Sequence, residues 1–180
     1  GDYKLIRNYK PENPPFELYR LYDKAGRVDI EESKNLAKAM PEKVQEMNRR
    51  LQEQLDEMKA SFPFLNPYTT KELPHKAEVC KVTSHEQKQN QISAQFKENG
   101  NQAQKAYLIY TDNGGAKYEE WYRIEAQVSK GKVTAILPPG STHYIFNLVD
   151  EHRYLVSYPR MGKMSDYIKG NYSTKALKVK

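Results

Sequence analysis

A single cysteine, Cys80, stands in 180 residues, so no disulfide can form within the chain and a cysteine-rich zinc site is excluded. Long apolar runs are missing too: no stretch approaches the roughly 20 residues that a membrane-crossing helix requires. Tryptophan occurs once, as Trp121, against 14 tyrosines. That balance favours half-wetted β faces over a thick aromatic core. The opening Gly1-Asp2-Tyr3-Lys4 has neither the basic start nor the apolar middle of a signal peptide, so any targeting signal is expected upstream.

With 38% hydrophobic and 29% charged residues, the chain has enough apolar material to fold and too much to be disordered throughout. Two units of roughly 70 to 90 residues would each lie near the lower limit for a self-sufficient core. The formal charge of +6 is unevenly spread: Lys163, Lys169, Lys175, Lys178 and Lys180 against Asp166 put +4 of it after Arg160. Residues 161–180 therefore read as a basic, solvated tail, and the body is only mildly basic.

The first segment opens with two β-prone runs, Tyr3 to Tyr9 and Phe16 to Tyr22, separated by Pro11 and the Asn13-Pro14-Pro15 turn. Their alternation predicts an antiparallel pair with Phe16, Leu18 and Tyr22 to one side, followed by a turn at Asp23-Lys24-Ala25-Gly26. From Met40 the apolar positions Val44, Met47, Leu51, Leu55, Met58 and Phe62 recur at spacings of three and four, which predicts one long helix. Pro41 suits its first turn with Glu42 near the positive end, and Pro63 is expected to stop it. Lys43, Glu46, Arg50, Glu53, Glu57 and Lys59 form the solvated face. Seven large apolar side chains on one helix need a sheet to cover them, and the visible strand pair supplies only part of one.

Prolines and polar residues without periodicity place a boundary near residues 66–75. Beyond it, β-prone runs succeed one another: Ala77 to Thr83, Gln91 to Phe96, Ala106 to Thr111, Glu120 to Val128, Lys132 to Leu137, Tyr144 to Val149 and Tyr154 to Tyr158. Turns at Asn99-Gly100, Asn113-Gly114-Gly115 and Ser129-Lys130-Gly131-Lys132 punctuate them. Alternation sets Ile92, Ala94 and Phe96, then Val133, Ala135 and Leu137, then Tyr144, Phe146 and Leu148 toward a core, with Trp121 or Ile124 from the central strand. The expected fold class is thus an α+β segment, antiparallel strands plus one long helix, joined to an all-β seven-stranded immunoglobulin-like sandwich. The units are 1–70, a linker 71–75, the sandwich 76–160 and the tail 161–180.

No catalytic constellation emerges from the residues. His75, His85, His143 and His152 show no metal-ligand spacing and read as surface histidines. Cys80 lies within a predicted strand, where a buried thiol is inert. Gly114-Gly115 precedes no helix and so makes no phosphate loop. Glu119 and Glu120 are adjacent on a strand and point to opposite faces, which prevents them from acting as an acid pair. No catalytic, metal or cofactor-binding residue is assigned. Tyr107, Tyr110, Tyr118 and Tyr122 would suit stacking, but Asp112, Glu119 and Glu120 among them repel a phosphate backbone and argue against nucleic acid. Tyrosines beside carboxylates suit a sugar better, but the first reading of these four is structural, tyrosines packing across strands.

Two resemblances follow. Leu137-Pro138-Pro139-Gly140-Ser141-Thr142-His143-Tyr144 resembles the corner of fibronectin type III domains, which implies that Tyr144 is a structural corner tyrosine whose hydroxyl bonds back to the backbone. The ordered series Tyr3-Lys4-Leu5-Ile6, Phe16-Glu17-Leu18-Tyr19-Arg20-Leu21 and Ser33-Lys34-Asn35-Leu36-Ala37, followed by a helix and a Pro-rich exit, is similar to the carboxyl-terminal end of sulfatases. It departs from the family at Arg20, at Tyr22-Asp23 and in the longer acidic stretch Asp29-Ile30-Glu31-Glu32.

Sulfatases act through a formylglycine made from a Cys-x-Pro/Ala-x-Arg motif, and Cys80-Lys81-Val82-Thr83-Ser84 does not match it. The resemblance implies a non-catalytic carboxyl-terminal part of a secreted or periplasmic hydrolase, whose partner is an amino-terminal catalytic domain. Sulfated polysaccharide is the implied ligand, with Lys4, Arg7, Lys10 and Arg20 as expected contacts to its sulfate or carboxylate groups. A carbohydrate-binding or adhesion sandwich is the alternative.

Overall fold

The computed structural model describes residues 1–10, 12–58, 60, 62–162 and 171–180. The described chain is mostly antiparallel β with one α-helix, and it divides into two compact units, Gly1–Pro63 and Phe64–Lys180. The residues read as a linker, 71–75, belong to the second unit.

In the first unit β1 (Tyr3–Arg7) and β2 (Phe16–Arg20) pair antiparallel, with Leu5 opposite Leu18 and Arg7 opposite Phe16. The intervening prolines cannot donate to a ladder, so Asn8 ties the loop, donating from Nδ2 to the Pro14 carbonyl at 2.9 Å and to Glu17 Oε1 at 2.7 Å. Tyr3, Leu5, Arg7, Phe16, Leu18 and Arg20 share one face by register. A small hairpin, β3 (Tyr22–Asp23) and β4 (Gly26–Arg27), follows at the expected turn.

The acidic stretch is a capped loop: Asp29 accepts from the backbone N–H groups of Ser33 and Lys34, which hold its carboxyl below the usual carboxylate range. Asn35 and Leu36 then close on the backbone of Leu18, at 3.1 and 2.7 Å. Helix α1 (Pro41–Glu57) begins at Pro41 as the sequence dictates. It ends one turn before the expected Pro63 stop, because Phe62 leaves the helical stripe to pack edge-on against Tyr9, ring centroids 6.4 Å apart. Lys59, placed on the solvated face, lies outside the described residues.

The second unit holds β5 (Lys81–Lys88), β6 (Gln91–Lys97), β7 (Ala103–Thr111), β8 (Tyr122–Ser129), β9 (Lys132–Ile136), β10 (His143–Asp150), β11 (Leu155–Tyr158) and β12 (Leu177–Lys178). Hydrogen bonds join them in the order β11-β10-β7-β8-β9-β6-β5, all antiparallel, with β12 alongside the start of β10. The sheet curls until its ends meet. His85 of β5 touches the Tyr158 hydroxyl of β11, and the Gln87 side chain bonds the Lys180 backbone twice.

The curled sheet encloses Ile92, Ala94, Phe96, Leu108, Val133, Leu137, Tyr144, Phe146 and Leu148, with Ile124 and Ala135 packed against them. Trp121 lies just before β8 and outside that cluster. The first strand begins at Lys81 and not at Ala77, since residues 76–78 form a 3-10 turn. Within 161–180, residues 163–170, with Lys163, Asp166 and Lys169, lie outside the described part. Residues 171–180 are no free extension: Leu177 pairs with Tyr144, and Leu177 and Val179 pack on the core.

Candidate functional site

The four bases expected to meet a sulfated ligand do not converge. Lys4 lies on the opposite face of β1 from Arg7 and pairs with Glu32 at 2.7 Å. Arg7 is anchored from α1, donating from Nη1 to Asn48 Oδ1 at 3.1 Å and Gln52 Oε1 at 3.0 Å. Its guanidinium carbon stands 5.5 and 5.6 Å from the Tyr9 and Phe62 ring centroids. Arg7 Nε and Nη2 are sealed from solvent without a hydrogen-bond acceptor, and the two ring faces take the place of one. Arg20, at the far end of the same face, stacks over Tyr3 at 5.9 Å, with Lys43 Nζ 5.6 Å from the same ring. Lys10 is exposed. Arg7 ties the helix to the hairpin, whereas Lys4 meets the acidic loop and Arg20 meets a ring of its own hairpin.

Tyr144 is buried in the core, edge-on to Phe146 at 5.7 Å, and burial raises its phenol above the ordinary value. The preceding corner is closed by Ser141, whose hydroxyl donates to the Pro138 carbonyl at 2.7 Å. Cys80 is buried and its thiol is pushed up to about 11, chiefly by burial. His75 and His152 stack face to face at 3.8 Å, with Glu78 3.1 Å from His75 Nδ1. Among the described residues no group of three or more His, Cys, Asp or Glu side chains could hold a metal ion.

The four tyrosines part company. Tyr107 lies on the outer face of β7, beside Phe64 and under the Arg123 guanidinium at 5.0 Å. Tyr110 and Tyr122 face each other across β7 and β8 at 5.5 Å, and Tyr118 stands on the connecting loop, 76% exposed.

That loop, residues 112–121, is built on hydrogen bonds. Asn113 accepts from the Thr111 hydroxyl at 2.8 Å and the Glu120 N–H at 2.9 Å, and donates to the Tyr118 carbonyl at 3.1 Å. Glu119 accepts from the Gly115 N–H at 2.8 Å, Trp121 Nε1 at 3.1 Å and the Ser173 N–H at 3.2 Å. Burial pushes the Glu119 carboxyl up, but the bonds from Ser173, Gly115 and Trp121 outweigh it and leave the group below its ordinary value. Trp121 meets Tyr172 edge-on at 6.4 Å. Glu120 accepts from the Tyr122 hydroxyl at 2.7 Å, which raises that phenol.

The sequence places Trp121 or Ile124 toward the core and does not single out Tyr172; the structure puts Ile124 on the core and brings Trp121 to Tyr172 beside the loop. The signal that could have found them is the period-two pattern Leu177-Lys178-Val179-Lys180, which marks a strand and so brings the end of the chain back onto the sheet. Comparison with family models, curated proteins and solved structures gave no match to this chain.

Proposed function

We propose that this chain is the non-catalytic carboxyl-terminal region of a secreted or periplasmic sulfatase-like hydrolase, in which the first unit completes an amino-terminal catalytic domain and an immunoglobulin-like sandwich follows. The observation that carries the proposal is the incomplete cover of α1. Val44 is its one buried residue, Met47, Leu51 and Leu55 are half-buried, and Met58 is 72% exposed. A helix with such a stripe, on a two-stranded sheet, is an edge that a larger body would finish. The order of Lys4-Leu5-Ile6, Glu17-Leu18-Tyr19 and Asn35-Leu36-Ala37 along that edge supports a sulfatase as the body.

The strand order supports the finer reading of the second unit. Named A to G in chain order, β5 to β11 run A-B-E-D and then C-F-G, which are the two sheets of a constant-type immunoglobulin sandwich, here bonded to each other through β8 and β7.

The test is the coding sequence upstream of Gly1, expressed together with this chain. A Cys-x-Pro/Ala-x-Arg motif is expected there, with aryl-sulfate hydrolysis by the longer protein and loss of that activity when residues 1–63 are deleted. Upstream sequence without the motif would remove the sulfatase reading.

A further inference from the structure

Of the large aromatic side chains that are exposed among the described residues of the second unit, Tyr118, Tyr122 and Tyr172 lie within residues 112–122 and 171–174, at one end of the unit. Tyr118, Tyr122 and Tyr172 are 76, 41 and 42% exposed, and Trp121, which directly precedes Tyr122, meets Tyr172 edge-on. Exposed apolar side chains scattered singly need no explanation, whereas grouped ones mark interaction sites. Here the loop is fixed by Asn113 and Glu119, and the rings are held by their polar edges, Trp121 through Glu119 and Tyr122 through Glu120. A rigid loop that spends its hydrogen bonds on presenting aromatic faces has the construction of a recognition site.

We propose that this end binds a neutral saccharide chain, with the faces of Tyr118 and Tyr122 stacking on sugar rings and the Asp112 and Glu120 carboxylates accepting from sugar hydroxyls. The composition selects that ligand. A protein interface would concentrate aliphatic, Met and Arg side chains and exclude carboxylates, whereas residues 112–122 contain three carboxylates and no Leu, Ile, Val, Met or Arg. Nucleic acid and sulfated glycans are disfavoured by the same carboxylates. A cationic ligand is disfavoured by the like charge of Lys117, whose Nζ lies 5.2 Å from the Tyr118 centroid, whereas a neutral sugar meets no such repulsion. Tyr122 adds a hydroxyl oxygen that, having donated to Glu120, can still accept a hydrogen bond. The inference is independent of the sulfatase reading and would survive its failure.

Affinity electrophoresis of the full chain, in gels containing galactomannan, xyloglucan, a soluble β-1,3-glucan or carrageenan, decides it. Retardation by at least one neutral polysaccharide is expected. Tyr118→Ala and Tyr122→Ala should each weaken it by about tenfold or more, the loss that about 1.4 kcal/mol of contact represents. Tyr68→Ala, an exposed tyrosine elsewhere in the unit, should leave it unchanged. Circular dichroism of each variant reports whether the sheet is intact, and the solvent position of the Tyr118 ring makes that variant the safest. Three results would each overturn the proposal: no retardation by any neutral polymer, retardation by carrageenan alone, or undiminished binding by folded Tyr118→Ala.

Discussion

At the scale of single residues, Gly114 is the position with least freedom. A methyl there would lie inside the van der Waals sphere of His143 Nδ1 and 2.9 Å from Thr142 Oγ1, the same hydroxyl oxygen that accepts from the Gly114 N–H at 3.0 Å. Gly114→Ala is therefore expected to destabilise the second unit by about 1–3 kcal/mol in urea unfolding, the cost of forcing a packed ring aside. Adding His143→Ala removes the obstacle, so the double variant should recover part of the loss; strict additivity would sink the explanation. Tyr19 offers a titration. Its hydroxyl donates to Glu17 at 2.5 Å, and that bond, then burial, then the Glu17 charge raise the phenol to about 12. A group raised in the folded state contributes stability below its unfolded value, near 10, and loses it as pH climbs toward 12. Glu17→Gln should bring the Tyr19 resonance, followed by NMR of labelled tyrosine, back toward the ordinary value. A midpoint that stays near 12 would assign the shift to burial alone.

Among the elements, legibility followed burial. Strands β6 and β9 alternate apolar and polar residues because one face of each lies on the core, whereas β7 and β10 are marked by nearly continuous apolar runs, Ala106 to Tyr110 and Tyr144 to Val149 broken only at Asn147, β10 being buried on both faces. β5 is an edge strand, largely exposed along Ser84-His85-Glu86, and so carries little alternation; the β-branched residues just before and inside its start drew the reading toward Ala77. The helix was legible at Pro41, where backbone chemistry decides, and illegible at its end, where a tertiary contact of Phe62 decides. Residues 171–180 were obscured by their lysines. They are fastened by Glu119 to the Ser173 N–H and by Asn171 to the Ala116 carbonyl. Because the Glu119 carboxyl is depressed in the folded state, its contribution is present above the unfolded carboxylate value and is lost as pH falls through the lower folded one. Protection of the Ser173 and Gly115 amides, taken relative to the intrinsic exchange rate, should fall as the Glu119 carboxyl becomes protonated in acid, and Glu119→Gln should lower it already at neutral pH. Protection of both amides that ignores acid and the substitution alike would place the fastening elsewhere. The bases of the first unit could be read as residues but not as a site, since which neighbour each one meets depends on register and on the crossing of α1.

For the molecule as a whole, the two units differ in how much core each owns. Among the described residues, the buried apolar side chains of Gly1–Pro63 are Leu18, Tyr19 and Val44, whereas Phe64–Lys180 encloses a continuous cluster from Cys80 to Val156 with the chain end packed upon it. Ordering a chain costs about 1–2 kcal/mol per residue of backbone entropy, and a unit near 60 residues recovers that only with an efficient core. The half-covered helix stripe is therefore a stability deficit as well as a surface, and the sequence disclosed it as a count of apolar positions exceeding the visible sheet. Expressed alone, residues 64–180 should unfold in urea with one cooperative transition that coincides in fluorescence and circular dichroism. Residues 1–63 alone should show a broad, non-cooperative loss of helix and little amide protection. In the full chain the Leu18 and Leu36 amides, which belong to the hairpin and its flanking loop, should exchange faster than those of β10, by a margin that reports the deficit. Equal protection in the two units would mean that the first has all the core it needs, and the case for a missing catalytic body would lose its physical support.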